Sequence, residues 1–454
     1  MTKLDRAPGS FRVRAQLTLV DAHTQAALDA ATARLRDNRL HAWEERADIE
    51  ELRERGREAR SRAVRDLPRY LDEFQRAFEA RGGRVHRAAD DAEARAAILE
   101  ICRAAGAKLV AKSKSMVTEE IHLNEALEAD GLEVVETDLG EYILQLAGEH
   151  PVHIVAPAIE KTAQDVAELL AKVDGEPVEP QLEALTLKAR KQLREVFLTA
   201  DVGITGANFA IAETGSICLS TNEGNGRLVS ALPRVHIVVL GMERMLATTK
   251  DYAVCLELLG RSGTGQRLTT YSTVLTGPRR AGEEDGPDAM HVVIVDNGRG
   301  RIRGTRYEEM LNCIRCGACL NVCPVYRKSG GAAYGPVYSG PMGAVLVPLL
   351  ARAPDLPHAS SLCGACTEAC PVKIPLHELL LELRRDLVAD REAPWHERVA
   401  FTLWSFAWST PLGYRLSTGL ARLAQRLAAV APGPGRGWAS GRALPRLGRR
   451  YRDR

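Results

Sequence analysis

Cys313, Cys316, Cys319 and Cys323, followed by Pro324, are spaced C-x2-C-x2-C-x3-C-P. That spacing lets three thiolates surround one face of an iron–sulfur cluster while the fourth reaches a second cluster. Downstream, Cys363, Cys366 and Cys370 with Pro371 form C-x2-C-x3-C-P. Iron–sulfur chemistry wants soft thiolate ligands, and a tight glycine-containing turn aims three of them at one small object. Crossing between the runs assigns Cys313, Cys316, Cys319 and Cys370 to one cluster, and Cys363, Cys366 and Cys323 to the other. The second set is one thiolate short, because Ser360 stands where a full run would place a cysteine. Its cluster takes a serine or outside ligand, leaves one iron open, or loses that iron and becomes [3Fe–4S]; the sequence leaves these alternatives open. Carrying one thiolate fewer, it is expected to be the higher-potential centre. Structural zinc is the rival reading, but zinc sites pair two C-x2-C knuckles and need only four ligands. The remaining Cys102, Cys218 and Cys255 lie in apolar contexts and read as buried small hydrophobes.

A second group of chemistry-bearing residues lies in polar turns upstream. They are 112–116 (Lys, Ser, Lys, Ser, Met), 205–208, 213–216 and 221–227. Their glycines let backbone approach a ligand, and their neighbours supply amide, hydroxyl and cationic donors. This suits an anion such as a carboxylate or phosphate, although turn chemistry alone explains many such residues. The elements that position these turns alternate between strand and helix. Strands are expected at 108–111, 132–136, 153–156, 202–204 and 235–240, a hairpin over 209–221, and a last strand at 291–295. Helices are expected from about 90 to 105 and over 117–129, 162–173 and 181–199. Strands separated by helices of this length imply a largely parallel sheet covered on both faces. Ligands in such sheets bind beyond the carboxyl ends of the strands, where these turns fall. His153, His236 and His291 sit inside expected strands and read as packed and hydrogen-bonded. No Gly-x-Ser-x-Gly elbow or metalloprotease pattern is present, so a nucleophilic hydrolase is unsupported.

The chain has 454 residues and a formal charge of +2, so bulk attraction to nucleic acid is not implied. Length suggests about three domains. Residues 21–80 have helical spacing of apolar positions, with charges on the other faces. A helix from Tyr307 is expected to lead into the first cysteine run. Another should follow Pro375 to about Ala389. No apolar stretch of spanning length and no secretory h-region is evident, and free thiols point to a reducing cytoplasm. The most apolar stretch, 399–408, is expected to pack on the protein's own core, with a membrane surface or a partner as alternatives. The last fourteen residues carry six arginines against Asp453 and read as a solvated tail, with an acidic partner or anionic lipid second.

These residues together resemble the lactate utilization protein B family. The likeness is carried by 112–116 with Glu119 and Glu120, by 136–141, by 203–215, by 222–227, by 232–236, and by both cysteine runs. It implies an α/β fold, a LUD domain of the NagB/RpiA/CoA-transferase-like type, followed by an α-helical ferredoxin with two iron–sulfur clusters. The implied layout is a helical arm at 1–82, the LUD domain at 83–300, the ferredoxin at 301–392 and a family-specific C-terminal region at 393–454. It also implies two [4Fe–4S] clusters held by the seven cysteines as assigned above. Members act with two sister proteins in oxidising L-lactate to pyruvate, as electron carrier to an acceptor the sequence does not name. Glu160 and Ala332 stand where relatives carry histidine, so a histidine role there is not expected. No flavin or nicotinamide fingerprint is present. The alternative is a LUD-domain enzyme of acyl or phosphate-ester chemistry, with Glu213 as its carboxylate and the clusters regulatory.

Overall fold

The computed structural model describes residues 10–149, 151, 156–158, 161–335, 337–390 and 395–428. The expected strand at 153–156, with His153, and the position Glu160 lie outside them or at their edge. Ten strands are present among the described residues: β1 (Arg84–Ala88), β2 (Leu109–Lys112), β3 (Glu133–Glu136), β4 (Val202–Thr205), β5 (Phe209–Ile211), β6 (Ser216–Thr221), β7 (Val235–Gly241), β8 (Met245–Leu246), β9 (Tyr271–Leu275) and β10 (Ala289–Val295). Six form an all-parallel sheet in the order β1-β10-β7-β4-β2-β3. The reason is visible in β7 and β10, which are apolar at successive positions. Ile237, Val239, Val293 and Val295 pack into one core, while Val238, Leu240, Val292 and Ile294 pack into another. A strand buried on both faces needs such a run, and helices cover each side.

The remaining strands form a second sheet, β8-β5-β6-β9, with β5 and β6 as the expected hairpin. It is a shared wall. Ala210, Ile217 and Leu219 join a core of the parallel sheet, while Phe209, Ile211 and Cys218 join the core that contains the cysteine runs. Leu28 and Leu52, from the N-terminal helices, belong to that same core. The residues up to Arg384 thus form one compact unit.

The arm is helical as expected, divided into Phe11–Leu19, Ala22–Glu44, Ile49–Arg65 and Leu67–Glu79, the last opening with a proline in its first turn. Other expectations need correction. The helix over 117–129 is split into Met116–Glu120 and Leu123–Ala129, because His122 takes a left-handed φ of 50°. The helix from Tyr307 is a short 3-10 turn, Glu308–Asn312. A helix does run Leu376–Ala389.

Residues from Arg385 onward form a second unit. It includes a pair of helices, Trp395–Trp408 and Pro411–Ala428, joined by a ring contact of Trp408 with Tyr414 at 5.0 Å. The expected burial of 399–408 is not found: no residue of Trp395–Trp408 is buried. Apart from a polar strip of Arg398, Thr402 and Ser405, apolar side chains take up most of the helix circumference, so one neighbouring helix cannot cover them. Among the described residues no helix is long and apolar enough to cross a membrane.

Candidate functional site

The two cysteine runs repeat one backbone shape. Arg315 and Gly317 flank Cys316 with positive φ values of 60° and 78°, and Leu362 and Gly364 flank Cys363 with 57° and 83°. Short helices, Ala318–Val322 and Ala365–Glu368, follow each turn. In the first turn the Arg315 N–H donates to Cys313 Sγ at 3.4 Å. In the second the Leu362 N–H donates to Ser360 Oγ at 3.1 Å. Ser360 therefore holds the place of Cys313 in the repeat, with its oxygen where the first turn has sulfur.

The structure gathers the seven sulfurs into two sets. Cys313, Cys316, Cys319 and Cys370 lie within reach of one another's charge, as do Cys323, Cys363 and Cys366. Cys319 also feels Cys366, so the sets adjoin. A cavity among Cys313, Cys316, Cys319 and Cys370 is walled by Ile314, Met342, Val372, Ile374 and Leu376. Further N–H groups donate to sulfur, from Tyr326 to Cys323 at 3.5 Å and from Ile374 to Cys370 at 3.3 Å. Burial pushes the Cys366 and Cys370 thiols up to about 12, and Cys316 and Cys319 higher. Bare thiolates would be costly there, whereas iron replaces those protons and shares the charge. The donor set, the N–H···S bonds and the dry wall fit iron–sulfur clusters. Cys102, Cys218 and Cys255 are buried apart from these runs in sequence.

Arginines clamp the first set. Arg244 donates to the Cys313 carbonyl at 2.9 Å, and Arg53 to the Cys370 carbonyl at 2.8 Å. Arg60, fully buried, donates to the carbonyls of Leu311 and Asn312 at 2.8 and 3.1 Å and to that of Met245 at 2.6 Å. Glu243 balances this charge, pairing with Arg299 at 2.7 Å and Arg315 at 3.1 Å. Those cations hold its carboxyl down to about 2 despite burial. Spacing rules do not reveal these arginines, since each acts from a distant stretch of chain.

Three of the four polar turns meet at a cavity of about 280 Å³. Ser113, Lys114 and Ser115 follow β2; Gly206, Ala207 and Asn208 follow β4; Thr221, Asn222, Glu223, Asn225 and Gly226 follow β6. The chain leaves β2 for β3 on one side and β4 for β7 on the other, so the crevice is the sheet's switch point. Gly206 is required there, since a Cβ would stand 2.8 Å from Ser115 Oγ. The fourth turn does not join them. Glu213 accepts from the Thr249 N–H at 2.9 Å and hydroxyl at 3.1 Å, and is not part of the cavity wall. Asp138, Glu243, Arg244, Arg315, Cys316 and Tyr338 also line the wall and were not foreseen there. Burial and the nearby Asp138 raise Glu223 to about 7.

Beside the crevice, the buried Lys112 ammonium pairs with Glu119 at 2.9 Å and with Glu136, while desolvation and Glu136 raise Glu141. His236 bonds Thr205 Oγ1 at 2.9 Å, and burial lowers its pKa to about 3. His291 faces His86 at 3.0 Å.

The family model for the LUD domain matches residues 71–295, and that for a 4Fe-4S dicluster domain matches 309–374. Lactate utilization protein B of Bacillus velezensis is 47% identical over 98% of this chain and 96% of its own length. The proteins of that name from Geobacillus sp. and Bacillus subtilis are 48% and 46% identical, over 99% and 98% of this chain and 97% and 95% of theirs. This chain belongs to the lactate utilization protein B family. As in the architecture expected of that family, an α/β LUD domain precedes a ferredoxin-type iron–sulfur domain. A crystal structure of a DUF162 family protein from Deinococcus radiodurans matches at 16% identity and a TM-score of 0.28, covering 50% of this chain and 98% of that one, too loosely to add to this.

Proposed function

We propose that this chain is the cytoplasmic electron carrier of a system that oxidises L-lactate to pyruvate, working with sister subunits. The observation that carries the reading is the adjacency of the two sulfur sets, with Cys319 in reach of both. Cys313, Cys316, Cys319 and Cys370 would hold a [4Fe–4S] cluster. Cys323, Cys363 and Cys366 would hold the second, with Ser360 as its fourth ligand, supported by the serine's place in the repeated turn. Such clusters, when bound, take up and release one electron each. Lactate oxidation delivers two, so a pair of one-electron centres suits the reaction. The chain's own residues set the rest. Ile314, Val372 and Ile374 exclude water, and Arg244 and Arg53 fix the carbonyls of the ligand loops. The alternative of an acyl or phosphate-ester enzyme loses its candidate carboxylate, since Glu213 caps the helix Thr249–Gly263 and stands outside the crevice.

The test is growth on L-lactate after deletion of the gene, with complementation. Wild type should restore growth and Cys316→Ser should not. Full growth with Cys316→Ser would remove the electron-carrier role.

A further inference from the structure

The crevice between β2 and β4 holds two buried cationic donors with no hydrogen-bond partner, Lys114 Nζ and Arg315 Nη1, and beside them the Ser220 hydroxyl, which is within reach of the Tyr252 hydroxyl. Unsatisfied buried donors are costly, of order 1–3 kcal/mol each and more when charged. Their gathering at one cavity points to an occupant that brings acceptor oxygens. An ammonium and a guanidinium suit a carboxylate, and the hydroxyl suits a neighbouring oxygen. Asp138, Glu223 and Glu243 stand in the same wall, Glu243 paired with Arg315 at 3.1 Å, and would repel a phosphate dianion more than a monoanion. The volume, about 280 Å³, is that of roughly nine waters at ~30 Å³ each, so a three- to five-carbon acid fits with ordered water.

One wall of the cavity is the first cysteine run itself. Arg315 and Cys316 line it, and the Arg315 N–H bonds Cys313 Sγ. Gly263 closes against the same loop, where a Cβ would stand 3.1 Å from the Cys316 carbonyl oxygen. Negative charge placed in the crevice therefore acts directly on the first sulfur set.

We propose that this crevice binds a 2-hydroxy or 2-oxo monocarboxylate, and that binding is thermodynamically linked to the redox state at the Cys313, Cys316, Cys319 and Cys370 set. The linkage half rests on the electron-carrier reading; the binding half does not. An anion beside the set opposes arrival of an electron, and by reciprocity an added electron weakens the anion.

The experiment uses full-length, cluster-loaded protein under anaerobic conditions. Titration calorimetry with L-lactate, pyruvate and inorganic phosphate is run on the oxidised and the dithionite-reduced protein. Lactate or pyruvate should bind the oxidised form more tightly than phosphate, and roughly five- to tenfold more weakly after reduction, the lower range of typical coupling. Lys114→Met should weaken binding at least tenfold and Ser220→Ala by a smaller factor, at unchanged iron content, while Lys191→Met on the open surface changes nothing. Absence of lactate and pyruvate binding, or binding indifferent to both Lys114→Met and Ser220→Ala, overturns the site. Equal affinity in both redox states overturns the linkage and leaves the electron carrier standing.

Discussion

The two sulfur sets share a backbone template yet sit in opposite surroundings. The first has four thiolates, all but Cys313 buried, with Arg53 and Arg244 bonded to its loop carbonyls and Arg315 beside it. The second has three thiolates and a serine in the vacant place, with Cys363 exposed and Tyr334 near Cys323. Ligand charge and outer charge pull against each other here. With clusters bound, an extra thiolate would lower the potential of the first set, and the arginines would raise it. The thiolate acts at bonding distance and the guanidinium groups several ångströms further out, with Arg315 partly neutralised by Glu243. Coulomb energy falls with distance, so ligand charge wins. The second set should remain the higher-potential centre, by a gap narrower than thiolate count alone suggests.

The largest effect is expected from breaking the charge balance beside the first set. Glu243→Gln takes the carboxylate from the buried Arg315 and leaves Arg299 with Glu120 alone, at 2.6 Å, which should destabilise the fold by about 3 kcal/mol, the lower end for a broken buried pair. The urea midpoint followed by far-UV circular dichroism would read this, since acid itself bleaches iron–sulfur clusters. The sign with pH follows from the lowered carboxyl. Glu243 has a folded pKa of about 2 against an ordinary 4.5. Its stabilisation is complete above about 4.5 and fades as pH falls toward 2, so wild type and Glu243→Gln should converge in acid. A constant gap down to pH 3 would contradict this.

Filling the vacancy in the second set comes next. Ser360→Cys would give both sets four thiolates, and should lower the second potential by roughly 100 mV, within the range ligand charge tunes. Reductive titration followed by EPR would show the two signals moving together. An unchanged second signal means that Ser360 is no ligand. A smaller effect is expected from Arg53→Met. Losing that cation should lower the first potential by roughly 30–60 mV, up to one tenfold step for a one-electron centre, and leave the second in place. Equal shifts of both would erase the distinction between the surroundings.

Spacing made the seven cysteines legible, because cluster ligation imposes local separations on sequence. The switch-point crevice was legible in part. Turns after β2, β4 and β6 could be named from Gly, Ser and Asn content, but whether they converge depends on strand order. That order brought three together and left Glu213 outside. The small sheet was legible only as the β5–β6 hairpin. Its outer strand β9 alternates between exposed and half-buried residues, and β8 has two residues, too few for a pattern. Likewise β1 carries Arg84, His86 and Arg87, polar enough to read as loop. Least legible was the way Arg53 and Arg60, in a helix that reads as a solvated arm, reach the cysteine loops as buried donors.

The central claim is that these sulfurs hold two electron-carrying clusters of unequal kind. Iron and acid-labile sulfide should be measured on anaerobically purified protein, with EPR during stepwise reduction. The account predicts brown protein with about seven to eight irons per chain and two signals that appear at different potentials. Colourless protein, or a single tetrahedral zinc bound by the same cysteines, would contradict it.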